Sequence, residues 1–335
     1  MAEPEQTSQP LNSLTRFSFL FMAGLFVLMI LLRLATPLLA ALFAYLALNC
    51  LTLPKRGGKW IAVAIFLILL SGAAYALGFF IHRTVDALPQ IADKAIPSLI
   101  DTAQQNGIQL PFTDYDSFKE LALDTVKSEV RYLGSFVKFA RGATSQILLL
   151  IAGCIVAISL FLNPRFETGP PSSASNLYSQ CCAAISNRFA TLYKSFVTVM
   201  GAQIIISTIN TALTAIFVLA LRFPDAEVVI GVTLLCGLLP VVGNLISNTI
   251  VVGIGLTVSP KMALVALIFL VVVHKLEYFL NSKIVGWRIH NPLWLTLLGL
   301  IVGERLLGVP GMILAPVVLY YIKLEASRLP SDQNE

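Results

Sequence analysis

Charge is scarce in this chain. Of 335 residues only 12% are Asp, Glu, Lys or Arg, about half the share with which a soluble domain covers its water-facing surface. Catalytic signatures are lacking as well. No G-x-x-x-x-G-K-[ST] loop is present to cradle nucleotide phosphates, and Gly57-Gly58-Lys59 reads as a charged turn. There is no G-x-S-x-G elbow and no H-E-x-x-H pair, and the histidines are His82, His274 and His290 alone. No nucleophile, base and orienting group occur together, so the chain does not read as an enzyme, and no cofactor or metal is implied. The five cysteines, Cys50, Cys154, Cys181, Cys182 and Cys236, follow neither zinc-ligand nor disulfide-framework spacing. The net charge of +5 is carried by scattered cations with no interleaved aromatics, which argues against nucleic acid as a partner. Met1 to Arg16 lacks the basic n-region of a secretory signal, so the first apolar run is expected to be a retained span.

What the chain has instead is apolar sequence: 57% of residues are hydrophobic and the mean hydropathy is +0.82. Surface of that kind needs lipid as its solvent. The fold class is therefore all-α, a polytopic transmembrane helical protein. A cytoplasmic tail, 1–16, precedes three transmembrane helices within 17–82, from the runs Phe17–Leu34, Leu38–Leu53 and Trp60–Ile81. Residues 83–143 carry charges and prolines with apolar residues at i, i+3 and i+4, the pattern of a helical extramembrane domain. A fourth span covers 144–163. Residues 164–195 read as a cytoplasmic linker, marked by Gly169-Pro170-Pro171, followed by an amphipathic helix. A transport core occupies 196–326, and 327–335 form a C-terminal tail.

Two apolar stretches of that core are interrupted near their middles. Val228–Val258 is cut at Pro240-Val241-Val242-Gly243-Asn244, and Leu293–Ile322 at Gly308-Val309-Pro310-Gly311. The halves fall short of the ~20 residues a spanning helix needs. Paired Gly/Pro-interrupted segments point to a transporter binding site, because a broken helix frees backbone N–H and C=O groups that lipid cannot satisfy. Closely spaced plain spans with tight turns are the alternative. Lys55, Arg56 and Lys59 in one short loop place that loop in the cytoplasm. Six spans and two oppositely facing re-entrant hairpins then satisfy every short-loop charge, with both termini cytoplasmic.

Polar residues inside apolar helices are costly and usually functional. Gln203, Ser207, Asn210 and Thr214 recur at i, i+4, i+7 and i+11, one stripe of a helix; they line a substrate path or hydrogen-bond neighbouring helices. His274, Glu277 and Asn281 share a face beside Lys275. Glu277 either pairs locally or faces a cavity, where it can bind a cation or proton. Glu304-Arg305 offers the same choice between an ion pair and a gate. Asn244, Ser247 and Asn248 open a half-helix, either presenting donors to a solute or capping that helix.

In its second half the chain resembles the AI-2E (autoinducer-2 exporter) family. The likeness rests on the Pro240-x-x-Gly243 turn, on Glu277, and on Lys283-Ile284-Val285-Gly286 followed by Pro292. A glycine-rich segment with Gly303, Gly308, Gly311 and Pro316 completes it. The order of these elements and the polar region after the third run agree as well, so the resemblance covers nearly the whole chain. It implies a bacterial inner-membrane secondary transporter exporting a small polar solute such as a quorum-sensing signal. Sodium or proton antiport is the alternative, a non-transport membrane scaffold a third reading, and homo-oligomers are implied. The chain departs from the family pattern in two places. Tyr278 to Ser282 replaces a segment that commonly holds a proline, and Glu304-Arg305 stands where small or apolar residues are common.

Overall fold

The computed structural model describes residues 13–52, 57–105, 107, 136–163, 177–239, 242–284 and 292–328. Among them every regular element is an α-helix: α1 Ser13–Leu31, α2 Ala35–Cys50, α3 Gly58–Gln105, α4 Phe136–Leu162, α5 Leu177–Ala220, α6 Ala226–Cys236, α7 Val242–Val258, α8 Pro260–Ile284 and α9 Leu293–Ala326. Among the described residues, five helical stretches are long and apolar enough to cross a membrane: Ser13–Leu31, Gly58–Phe80, Ser145–Leu162, Leu177–Ala220 and Trp294–Ala326. Apolar side chains such as Leu20, Trp60, Ile68 and Leu267 face outward on these and neighbouring helices. A bilayer is the solvent such a surface requires.

Several boundaries fall elsewhere than the hydropathy suggests. The break between α1 and α2 lies at Leu32–Leu34, with Arg33 left-handed at φ 53° and Leu34 N–H donating to Met29 C=O at 2.9 Å. This is the pattern of a Schellman end. Pro37 therefore sits in the first turn of α2, where a missing N–H leaves no bond unmade. The third helix passes His82 without interruption and reaches Gln105. Beyond His82 apolar residues recur at i, i+3 and i+4, so the helix continues where the hydropathy falls. A helix of that length is roughly 70 Å long, more than a bilayer core accommodates. In the same way α5 begins at Leu177 and joins the expected amphipathic helix to the fifth span. Pro240, Lys55 and Arg56, the middle of the expected extramembrane domain (108–135), the linker at 164–176 and the element at 285–291 lie outside the described residues.

The chain forms two compact units. The first comprises residues 1–64, 148–199 and 289–335, the second 65–147 and 200–288. In the first, Met29, Ala35 and Leu314 bring α1, α2 and α9 together, with Phe26, Leu38 and Leu42 around them. Phe43 meets Phe196 edge-on at 4.9 Å, and Asn49 donates to the Tyr193 hydroxyl at 3.0 Å, so α2 also packs on α5. Within α9 the helix is interrupted at Gly308, whose φ of 67° and ψ of −152° define a region essentially confined to glycine. The two limbs fold onto each other: a side chain at Gly303 would strike the Gly311 carbonyl, and one at Gly311 the Gly303 carbonyl. Small residues at such a seam let helix backbones touch in lipid. Pro310 and Pro316 lie in the second limb.

In the second unit Val218, Phe223, Val229, Val251, Ile254, Ala266 and Leu270 form the core between α5, α6, α7 and α8. Phe217 stacks on Phe269 with centroids 4.0 Å apart. Ser259 caps α8, accepting the Met262 N–H at 3.1 Å, and Pro260 occupies the first helical position, the combination favoured at a helix start. The stretch 228–258 is broken: α6 ends at Cys236 and α7 begins at Val242. With 11 residues, α6 spans roughly 16 Å, about half a hydrocarbon core.

Candidate functional site

The interruption between α6 and α7 leaves backbone groups without helical partners, and the chain meets that need from α5. Gln203 Nε2 donates to the Gly237 carbonyl at 2.6 Å, and Ser207 Oγ to the Leu234 carbonyl at 3.0 Å. The turn is closed by Gly243, which donates its N–H to Leu239 C=O at 3.2 Å. A side chain at Gly243 would overlap the Cys236 carbonyl, so only glycine permits that approach.

One turn further along α5 the same polar stripe does something different. Asn210 and Thr214 face a cleft whose other polar walls are Thr233 from α6, Asn244, Ser247 and Asn248 from α7, and His274 and Glu277 from α8. Val251, Leu270 and Val273 supply the apolar floor. The cleft leaves about 20 Å³ to water-sized occupants, where a single water needs about 10–15 Å³. On the α8 wall the Glu277 carboxylate, 16% exposed, accepts hydrogen bonds from Asn244 Nδ2 at 2.8 and 2.7 Å, one to each oxygen. His274 Nδ1 stands 3.9 Å from Oε2, but its side chain is 70% exposed. Ser247 Oγ donates to the Asn244 carbonyl at 3.3 Å, and Thr233 Oγ1 donates to Val229 C=O at 2.8 Å.

Two features set the chemistry. Among the described residues no Lys or Arg lines the cleft, so its one carboxylate stands among amides and hydroxyls, with His274 the one imidazole near it. The buried Asn210 Oδ1 accepts no hydrogen bond within the described residues. Buried oxygens of this kind are rare because each leaves its desolvation uncompensated. Carboxylate, amide and hydroxyl oxygens are the donor set of hard cations and of protonated or hydroxylated solutes. Among the described residues no group of three His, Cys, Asp or Glu side chains is placed to hold a metal.

The structure thus divides the residues singled out in the sequence. Asn210, Asn244 and Glu277 converge on one cleft, with Thr214, Ser247, Asn248 and His274. Gln203 and Ser207 brace the broken helix end instead. The Asn281 side chain and Pro240 lie outside the described residues. Glu304 belongs to the other compact unit; it is 53% exposed and 4.0 Å from Arg305. The sequence reading missed Thr233, the single hydroxyl of an apolar run. Its helical register relative to Thr214 becomes visible only once α6 is packed on α5.

The family described as "AI-2E family transporter" matches residues 17–326. The candidate transport protein YdbI of Bacillus subtilis (strain 168) is 26% identical over 163 residues. That match covers 48% of this chain and 45% of YdbI, less than half of either.

Proposed function

The chain belongs to the AI-2E transporter family, and from that premise we propose that it is a secondary transporter whose cleft around Glu277 holds the coupling cation or proton. The observation that carries this reading is the Glu277 carboxylate, bound by Asn244 of the helix that follows the α6–α7 break, in a cleft also lined by Asn210, whose buried side-chain oxygen has no hydrogen-bond partner among the described residues. A carboxylate among neutral oxygens can exchange a cation for a proton without a competing lysine or arginine. A broken helix beside it supplies backbone dipoles at membrane depth.

The transported solute is a small polar molecule, exported across the bacterial inner membrane, with a quorum-sensing signal as the example the family suggests. Its amide- and hydroxyl-lined walls suit hydroxylated ligands, which polar pockets orient by a few placed hydrogen bonds. The cleft in its present form admits only water-sized bodies. Solute passage therefore requires an opened state, the alternating access that broken-helix transporters perform by rocking one bundle against another. In that cycle the stretches 228–258 and 293–322 are re-entrant hairpins, and both termini are cytoplasmic.

The small volume favours a second reading, cation/proton antiport with no organic solute. Purified full-length protein in proteoliposomes separates the two. Export of a polar solute driven by a sodium or proton gradient, and lost in Glu277→Gln, supports coupled solute transport. Sodium-for-proton exchange without solute, lost in the same variant, supports antiport. Gradient-independent flux unaffected by Glu277→Gln overturns both.

A further inference from the structure

The first unit contains a second polar cavity, which the proposed transport reaction does not use. It has a free volume of about 270 Å³ and is lined by Thr15, Ser18, Asn187, Arg188, Glu325 and Arg328, from α1, α5 and the end of α9. These side chains form a built cluster. Arg188 donates from Nε to Ser18 Oγ at 3.2 Å and pairs through a terminal nitrogen with Glu325 Oε2. Its guanidinium lies over the Phe19 ring, 3.9 Å from the centroid, which fixes its plane. Arg328 donates to Thr191 Oγ1 at 3.0 Å and stands 3.6 Å from Glu325 Oε1.

This cluster is unbalanced in two ways. Two permanently charged guanidiniums face one carboxylate, which leaves the cluster with a net positive charge. Glu325 is only 3% exposed, yet its Oε1 accepts no hydrogen bond among the described residues. The excess positive charge calls for an anion, and the unmatched oxygen calls for a hydrogen-bond donor. A ligand that satisfies both carries a phosphate and, a few bonds away, a hydroxyl or ammonium group. Phe17, Leu20 and Phe21 on α1 and Ile322 on α9, the helices that carry Ser18 and Glu325, expose apolar side chains, and basic pockets between spans hold lipid headgroups while the acyl chains lie along such apolar surface.

We propose that this cavity binds a phosphate ester bearing a hydroxyl or ammonium donor, as the headgroup of a membrane phospholipid. Arg188 and Arg328 take the phosphate, and Glu325 Oε1 takes the donor. The bound headgroup ties α1, α5 and α9 together at the water-facing end of their apolar stretches.

The test uses full-length protein in detergent, its thermal unfolding followed with phosphatidylglycerol, phosphatidylcholine or free glycerol 1-phosphate added. Phosphatidylcholine carries the phosphate but no donor. The expected result is stabilisation by phosphatidylglycerol at concentrations where phosphatidylcholine has no effect, with the apparent affinity weakened roughly tenfold in Arg328→Gln. Arg328→Lys should recover part of that loss. Arg328 is 55% exposed, so these variants are expected to remain monodisperse, and Arg305→Gln, remote in sequence and 85% exposed, serves as the charge-matched control. Stabilisation by glycerol 1-phosphate as well as by the lipid assigns the same chemistry to a soluble ester. Equal responses to the two lipids, no response to any ligand, or an Arg328→Gln response equal to that of Arg305→Gln overturns the proposal.

Discussion

Asn244 on α7 and Glu277 on α8 are joined by a two-pronged contact in which one carboxamide nitrogen serves both carboxylate oxygens, at 2.8 and 2.7 Å. The contact links the helix that follows the break to the helix that carries the acid. Any rearrangement of α7 relative to α8 must break or carry this pair, and occupancy of the carboxylate by a proton or cation alters how firmly Asn244 is held. Ion binding and helix position are thereby coupled through a single side-chain contact.

Replacing Asn244 with Leu removes both hydrogen bonds while keeping similar volume. A hydrogen bond to a charged group is worth about 1.5–3 kcal/mol, so the ion dependence of flux should weaken by roughly tenfold or more. Flux titrated against sodium and proton gradients in proteoliposomes measures it. Unchanged half-saturation for both ions in Asn244→Leu would show that the contact plays no part in coupling.

Gln203 and Ser207 are expected to behave as structural residues. In Gln203→Ala the Gly237 carbonyl loses its donor in an apolar surrounding, a penalty of about 1–3 kcal/mol. Thermal unfolding should fall accordingly, whereas the half-saturating concentrations for ion and solute should stay within about twofold, since neither side chain lines the cleft. A large change in half-saturation with unchanged stability would instead return Gln203 to the transport path.

Backbone geometry in α9 makes a third prediction. Alanine at Gly308 must adopt a conformation that costs non-glycine residues about 1–3 kcal/mol. Alanine at Gly311 must push against the Gly303 backbone, which has no flexible end to yield. Both variants should reduce folded yield, Gly311→Ala the more severely, as read by monodisperse recovery in detergent. Normal recovery of Gly311→Ala would mean that the two limbs of α9 do not touch as described.

The parts of this architecture that repeat along the chain were legible in the sequence. Apolar runs located α1, α4 and the membrane part of α5, and Gly/Pro interruptions located the breaks near Gly243 and at Gly308. Glu277 stood out because an acid in an apolar helix is costly wherever it points. Long-range partnerships were not legible. The stripe from Gln203 to Thr214 has one helical face, but its upper half meets the end of α6 and its lower half meets the cleft, a division set by where α6 stops. Arg188 and Glu325 are 137 positions apart, and each alone reads as an ordinary flanking charge. The run of α3 past His82 was hidden for a different reason: hydropathy reports a change of solvent, while the helical period continues.

Asn210 provides the sharpest separation between a site residue and a packing residue. Its Oδ1 is buried without a hydrogen-bond partner, so Asn210→Leu removes an uncompensated polar atom while conserving much of the volume. Such replacements are neutral or stabilising when the polar group served no partner. Stability of Asn210→Leu should therefore equal or exceed that of the parent in thermal unfolding. Flux should nonetheless fall, by roughly tenfold if Asn210 supplies one oxygen to the bound ion or solute. The two readouts move in opposite directions only if the oxygen is reserved for a ligand. A stabilised variant with full flux would mean that Asn210 and Glu277 share a cleft without sharing a function.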